Sequence, residues 1–268
     1  MADYSAARTV VNASREELIA IFRWVHTKGE DPEKPVTVLI GGWAVHNYNP
    51  WYGSIDIDII TNKRTKQHLM KFLRDERGFV PKRYPMIPNT VVKNTGDGEI
   101  LIDFGSREDI CRFEGRKENC SFSLLDGQTT TGVIAVPIRV LPIDRGRLNR
   151  GGFGGFPIVV PTRTLLLLFK LKAAWDRSHR LQNGTSSDPE WEQGKVRKDR
   201  ADILALLDPA AGGTDIDIQY LGSQLREFPF LIDVLREIPL DSEAVVMYRR
   251  LSPMQVRDVI DRLLSLVK

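Results

Sequence analysis

The chain has 268 residues, of which 42% are hydrophobic and 27% charged, and its formal net charge is +3. These values are typical of a globular protein with room for one large or two ordinary domains. Two cysteines without a histidine cluster indicate neither a disulfide framework nor a zinc site. No apolar stretch approaches the roughly 18 residues of a membrane span. Because the N-terminus also lacks a basic, apolar leader, we expect a cytoplasmic protein that does not enter a membrane.

The first half of the chain alternates predicted helices and strands. Ser14 and Glu17 have the spacing of a capping box, which predicts the start of an amphipathic helix that runs to Gly29. A short helix is expected over 44–48, and Gly78 is expected to end a helix over 66–77. The predicted strands are Val36–Ile40, Asp56–Ile60, Thr90–Lys93, Glu99–Asp103, Ser121–Leu125 and Val133–Leu141.

The most informative feature is a pair of carboxylates that follows a pair of glycines. Asp56 and Asp58 alternate with isoleucines in a predicted strand, so both side chains point to the same face. Like charges this close are most readily tolerated when a divalent cation bridges them. Gly41-Gly42 ends the preceding strand and opens a helix, which lets backbone N–H groups approach a phosphate. Alternatively, both aspartates are ordinary solvent-facing residues, but the isoleucines favour a buried strand in which unpaired carboxylates are costly.

The glycine pair, thirteen further residues and Asp56-Ile57-Asp58-Ile59 resemble the signature of the nucleotidyltransferase superfamily, which includes DNA polymerase beta and aminoglycoside nucleotidyltransferases. The resemblance implies an α/β (α+β) fold: a nucleotidyltransferase-type mixed sheet with flanking helices, followed by a helical C-terminal domain. It also implies an NTP substrate and two Mg²⁺ ions, with a third carboxylate on a later strand. The metal-binding and catalytic carboxylates would be Asp56, Asp58 and Asp103, and the nucleotide contacts in this half would be Gly41, Gly42 and Ser54.

From Thr164 onward the predicted elements are helices. They span Leu165–Arg180, Lys195–Leu207, Ile216–Phe228, Phe230–Ile238 and Pro253–Val267. This change of character predicts a nucleotidyltransferase catalytic domain over 1–160 and a helical domain over 161–268 that completes the active site.

Two of these helices extend the resemblance. Lys170-Leu171-Lys172-Ala173 and the later stretch Lys198–Ile203 look like the helical motifs of AbiEii-type nucleotidyltransferases, the toxin halves of type IV toxin–antitoxin pairs. The resemblance implies that Lys170 is a catalytic and nucleotide-binding residue and that Arg177 and Lys198 bind nucleotide. Lys198 and Asp202 have the i, i+4 spacing of a pair on the helix surface. Taken alone, these charges are typical of a solvated helix face.

Two basic segments bear on whether the protein binds a nucleic acid. Four arginines over 139–150 precede the glycine-rich stretch 151–156, and a second basic cluster lies over 195–200. Such clusters could contact a phosphate backbone or stacked bases, but the first is more typical of a flexible hinge flanked by solvated charges.

Trp51 and Tyr52 could stack on a base, whereas core packing is expected for Trp43. Many relatives carry an arginine where this chain has Tyr52, which leaves the substrate class open.

Three functions remain in competition. The first is a toxin-type enzyme that transfers a nucleotide to RNA, such as tRNA, or to a protein, with a cognate antitoxin as its partner. The second is a nucleotidyltransferase that modifies a small molecule such as an aminoglycoside. The third is a catalytically silent relative that binds nucleotide or RNA and regulates. The three aspartates argue against the third function. The basic clusters favour RNA over a small cationic drug, because a cleft that binds such a drug would be acidic.

Overall fold

The structure is a computed structural model, which describes residues 8–28, 37–82, 90–106, 122–125, 135–138 and 148–267. The chain divides into two compact units. The sheet unit contains the described residues of Ser5–Ser121 and Leu141–Thr162, and the helical unit contains those of Phe122–Val140 and Arg163–Lys268. Cys111 and Cys120 lie outside the described residues.

A mixed five-stranded sheet forms the centre of the sheet unit. Its strands are β1 (Val38–Ile40), β2 (Asp56–Thr61), β3 (Val80–Pro81), β4 (Thr90–Thr95) and β5 (Gly98–Ser106). Across the sheet the order is β1-β2-β5-β4-β3, with β2 and β5 parallel and the other neighbours antiparallel. The α-helices of this unit are α1 (Arg8–Thr27), α2 (Gly41–Tyr48) and α3 (Lys63–Arg77). The predicted α/β fold with a mixed sheet and flanking helices is confirmed.

One face of β2 and β5 belongs to the hydrophobic core. Ile57 lies opposite Ile102 and Ile59 lies opposite Phe104, and all four side chains are buried. Because successive residues of a strand point to opposite faces, this packing places the intervening polar residues of β2 on the other face. The predicted burial of the isoleucines of β2 is therefore confirmed.

Helix α1 begins earlier than the capping-box pattern predicts. It starts at Arg8, so Ser14 lies in its interior and is fully buried. The Ser14 Oγ accepts a hydrogen bond of 3.0 Å from Trp43 Nε1, which satisfies the hydroxyl without any capping role. The predicted cap at Ser14 is wrong, whereas the predicted core position of Trp43 is confirmed.

Two further strand pairs follow the five-stranded sheet along the chain. They are β6 (Phe122–Leu125) with β7 (Ala135–Ile138), and β8 (Leu148–Phe153) with β9 (Phe156–Pro161). The β8–β9 hairpin turns on Gly154 and Gly155, whose φ angles of +56° and +83° suit a two-residue type I′ turn. Phe153 is buried, and its ring centroid lies 5.6 Å from that of Trp43. The glycine-rich stretch is thus a packed hairpin, and the expected flexible hinge is wrong for residues 148–156.

The helical unit contains the long helices α4 (Arg163–Gln182) and α5 (Pro189–Leu207). They are followed by α6 (Ile218–Glu227), α7 (Phe230–Glu237), α8 (Ser242–Tyr248) and α9 (Pro253–Leu264). Helix α5 starts before the predicted Lys195 because Asp188 caps it, accepting a hydrogen bond of 3.1 Å from the Trp191 N–H. Helix α8 was absent from the prediction. Within the described residues, no helix combines the length and the apolarity that crossing a membrane requires.

Candidate functional site

The pairing of β2 with β5 brings the three predicted aspartates to one face of the sheet. Asp58 lies directly opposite Asp103 in the parallel pair, and Asp56 precedes Asp58 by two residues. Residues that face each other across neighbouring strands project to the same side, as do residues two apart in one strand. The three carboxylates therefore share the face opposite the Ile57 and Ile102 core.

Thr90 orients one of these carboxylates. It lies opposite Asp103 in the antiparallel pair of β4 and β5, and its hydroxyl donates a hydrogen bond to Asp103 Oδ1. Thr90 is buried, whereas Asp103 is half-buried. The sequence reasoning missed this residue, although the register of the predicted hairpin could have identified it as the neighbour of Asp103.

The glycine pair lies directly against this face. A Cβ atom added to Gly41 would lie 1.9 Å from Asp58 Oδ2, and one added to Gly42 would lie 2.9 Å from Ser54 Oγ. Gly41 also has a φ of +70°, which a residue with a Cβ adopts at a cost. The glycines are therefore needed partly to make room for Asp58 and Ser54, in addition to the predicted approach of a phosphate.

Helix α2 presents its N-terminus at the same place. It begins at Gly41, and the N-cap residue Ile40 provides no side-chain hydrogen bond to the first turn. The first N–H groups of a helix have no intrahelical acceptor, and together with the helix dipole they favour an anion. The first turn of α2 and the carboxylate of Asp58 thus adjoin each other.

The residues on this face suit a magnesium ion by their chemistry. Magnesium prefers oxygen ligands and is usually held by one or two carboxylates together with waters and substrate phosphates. Asp56 and Asp58 supply such oxygens on one face, and the Asp58 carboxylate occupies the space that a side chain at position 41 would fill. Within the described ranges, no group of three or more histidine, cysteine, aspartate or glutamate side chains is arranged to hold a metal ion. Metal binding by Asp56, Asp58 and Asp103 stays a prediction.

The predicted cations Lys170, Arg177 and Lys198 belong to the helical unit, where they meet two aspartates of α5. The Lys170 Nζ lies 2.8 Å from Asp199 Oδ1 and 2.7 Å from Asp202 Oδ2. The Lys198 Nζ lies 2.5 Å from Asp202 Oδ1, and Arg177 pairs with Asp199. We call these five residues and Lys195 the α5 ion cluster.

The α5 ion cluster is buried, which differs from the predicted surface location. The pairing of Lys198 with Asp202 is confirmed, but the two residues are only 4% and 0% exposed. The alternative of a solvated helix face is therefore wrong for this part of α5. The implied roles of Lys170, Arg177 and Lys198 toward a nucleotide stay predictions.

Burial shifts the pKa values of the cluster in different directions. At Lys170, burial opposes the charge, but Asp199 and Asp202 outweigh it and the pKa is raised. At Asp199, burial also opposes the charge, but Arg177 and Lys170 prevail and the pKa is lowered. Burial dominates at Lys195, where it lowers the pKa to about 8. Lys170 and Asp199 thus stay ionised at neutral pH, whereas Lys195 titrates close to it.

The two arginines of the basic cluster over 195–200 form ion pairs with acidic residues. Arg197 pairs with Glu243, and Arg200 pairs with Glu237 and, at 2.7 Å, with Asp241. These contacts connect α5 to the end of α7 and the start of α8. The cluster over 195–200 is therefore mostly neutralised within the helical unit and does not form an open basic patch for a phosphate backbone.

The chain has a distant likeness to a known protein structure. No protein-family model matches the chain, and no curated protein matches its sequence. Among solved structures, it is similar to an antigenic nucleotidyltransferase-like protein from Paracoccidioides brasiliensis, with a TM-score of 0.42 and 9% sequence identity. That match covers 86% of this chain and 94% of the other. A likeness this distant bears on neither the reaction nor the substrate.

Proposed function

We propose that the chain is a Mg²⁺-dependent nucleotidyltransferase that transfers a nucleotide from an NTP to an acceptor hydroxyl. One observation carries the proposal: the carboxylate of Asp58 lies against Gly41 at the first turn of α2 and opposite Asp103. A metal-bound triphosphate needs carboxylate oxygens for its metal and N–H donors for its phosphates at one place. On this face of the sheet, both kinds of group lie close together.

Each residue of the face has a role in the proposed reaction. Asp56 and Asp58 would hold Mg²⁺, which when bound offsets charge on the triphosphate and orients it. The first-turn N–H groups of α2 would receive phosphate oxygens, and the Ser54 hydroxyl would add a donor beside Gly42. Asp103, oriented by Thr90, would take the proton of the attacking hydroxyl or contribute to a second metal site.

The transfer itself is a substitution at the α-phosphorus. The acceptor oxygen forms a bond to that phosphorus, the bond to the β-phosphate oxygen breaks, and pyrophosphate leaves. The acceptor proton passes to Asp103. Catalysis of this kind depends mainly on positioning and on offsetting charge, which is what the carboxylates and the helix N-terminus would supply.

For the acceptor, we propose an RNA hydroxyl, such as that of a tRNA, in the manner of a type IV toxin. The support is the likeness of Lys170–Ala173 and Lys198–Ile203 to the AbiEii-type motifs, and a cognate antitoxin protein would then be the expected partner. The basic cluster over 195–200 no longer supports RNA, because Arg197 and Arg200 are paired with acidic residues. The proposal of an RNA acceptor is therefore supported by the resemblance of these two motifs alone.

A transfer assay with matched variants tests the proposal. The purified chain is incubated with Mg²⁺, each labelled NTP, and either total RNA or a panel of aminoglycosides. Wild type should label RNA, and EDTA should abolish the labelling. Asp58→Asn keeps the side-chain volume but removes the charge, so labelling should fall to background. Asp97→Asn, in the exposed turn between β4 and β5, should keep full activity.

The outcomes separate the competing functions. Full activity of Asp58→Asn would refute the metal assignment. Labelled aminoglycoside with unlabelled RNA would identify a small-molecule enzyme. Binding of Mg²⁺ and ATP, seen as a raised unfolding temperature without transfer to any acceptor, would identify a catalytically silent binder.

A further inference from the structure

The aromatic residues that precede the aspartates in the chain differ in their packing. Trp43 is 1% exposed, its ring lies edge-on to Phe153, and its Nε1 donates to Ser14. Trp43 is therefore committed to the core. Trp51 and Tyr52 are each half-buried, and their ring centroids lie 5.4 Å apart at an interplanar angle of 37°.

Chain connectivity keeps the backbone of Trp51 and Tyr52 near the first turn of α2. The next two residues, Gly53 and Ser54, border that turn: the Ser54 Oγ is 2.9 Å from the Cβ position of Gly42, and the Gly53 carbonyl oxygen is 3.5 Å from it. Since the chain spans at most about 3.5 Å per residue, the backbone of Trp51 is within roughly 10 Å of Ser54. The two aromatic residues thus lie one short segment away from the proposed phosphate site.

The surface of these two rings suits a nucleobase. Every base has a π-face, and stacking on aromatic side chains contributes to nucleotide affinity without requiring a particular sequence of hydrogen bonds. Neither side chain is a cation, so Trp51 and Tyr52 offer ring faces and no ionic contact to a phosphate. The local chemistry therefore favours the base over the phosphates as its partner.

We infer that Trp51 and Tyr52 form the stacking surface for the base of the substrate nucleotide and that purines bind there more tightly than pyrimidines. The inference rests on the proposed function, because it takes the triphosphate to lie at Gly41 and Gly42. The preference for purines follows from ring size, because a two-ring base covers more of the indole face of Trp51 than a one-ring base does. Trp51 and Tyr52 are binding residues in this scheme and take no part in the chemical step.

Calorimetric titration of the full chain tests the inference. ATP, UTP and inorganic tripolyphosphate are titrated in the presence of Mg²⁺ into wild type, the double variant W51A/Y52A and the double variant W51F/Y52F. Trp24→Ala is the control, because Trp24 is a half-buried tryptophan of the same unit that stacks on Phe72, away from this segment in the chain.

Specific affinities are expected. Wild type should bind ATP more tightly than UTP, and both more tightly than tripolyphosphate. W51A/Y52A should weaken ATP binding by about 10-fold or more and leave tripolyphosphate binding unchanged. W51F/Y52F should retain most of the ATP affinity because it keeps the rings, and Trp24→Ala should match wild type.

Contrary outcomes distinguish the two proposals. If wild type binds ATP and tripolyphosphate equally while Asp58→Asn still abolishes transfer, the stacking surface is refuted and the enzyme stands. An equal loss of ATP and tripolyphosphate in W51A/Y52A would show a structural role and also refute it. If wild type binds neither, both proposals fail. Should W51A/Y52A not fold, the wild-type series decides the matter, because equal binding of ATP and UTP would refute the purine preference.

Discussion

Replacing Gly41 with alanine tests whether this glycine is required to accommodate Asp58. The added Cβ would lie 1.9 Å from Asp58 Oδ2, on a backbone with a φ of +70°. The left-handed conformation alone costs about 1 to 2 kcal/mol for a residue with a Cβ. Overlap with the carboxylate adds about 1 to 3 kcal/mol, the usual cost of overpacking. Gly41→Ala should therefore lower the free energy of unfolding by about 2 to 5 kcal/mol.

Gly78→Ala is the matched control for the backbone cost. Gly78 has a φ of +74°, and nothing lies within 4 Å of its Cβ position. Urea unfolding of the two variants then gives the steric part as the difference between them. Asp58→Ala in the Gly41→Ala background should recover that part, so a double-mutant cycle should show a coupling of about 1 to 3 kcal/mol.

Equal losses of stability in the two glycine variants, or a coupling of zero, would contradict this prediction. Either result would show that the Asp58 carboxylate does not lie against Gly41 in solution. The proposed metal site would then lose the observation on which it mainly rests.

Two further predictions concern the α5 ion cluster. Asp202→Ala leaves Lys170 and Lys198 buried beside one carboxylate fewer, so urea unfolding should show that the free energy of unfolding falls by about 3 to 5 kcal/mol. As a control, Asp233→Ala removes one partner of an exposed pair and should lower it by less than about 1 kcal/mol. Equal losses in the two variants would contradict the burial of the cluster. Burial lowers the pKa of Lys195 to about 8, so between about pH 8 and 10.5 the unfolded chain binds a proton that the folded protein lacks. The free energy of unfolding should therefore rise over this range by up to about 1.4 kcal/mol per pH unit. Lys195→Met should flatten this rise and increase stability at pH 7, as measured by urea unfolding across the pH range, and an unchanged slope would refute the assignment.

The strand that carries the aspartates was predictable because its signal is local. Alternation of isoleucine and aspartate in β2 places Asp56 and Asp58 on one face for any strand, whatever packs on it. The turn between β4 and β5 and the end of α3 at Gly78 likewise depend on a few adjacent residues. These elements lie close to their predicted positions.

The wrong predictions share a cause in contacts between distant parts of the chain. Ser14 has the sequence spacing of a cap, but its hydroxyl bonds to Trp43 and the helix continues to Arg8. Lys198 has the spacing of a surface ion pair, but its helix is covered and the pair is buried. Spacing within one helix identifies which side chains can pair, but it does not reveal which face other elements cover.

The amino-acid sequence by itself determined the alternation in β2, the glycine pair before it and the order of α/β and helical segments, because each depends on neighbours along the chain. Only the tertiary structure decided that Asp103 lies opposite Asp58, that Thr90 orients it, and that Gly41 adjoins the Asp58 carboxylate. These contacts depend on strand pairing and register, which are selected by burial of the whole sheet unit.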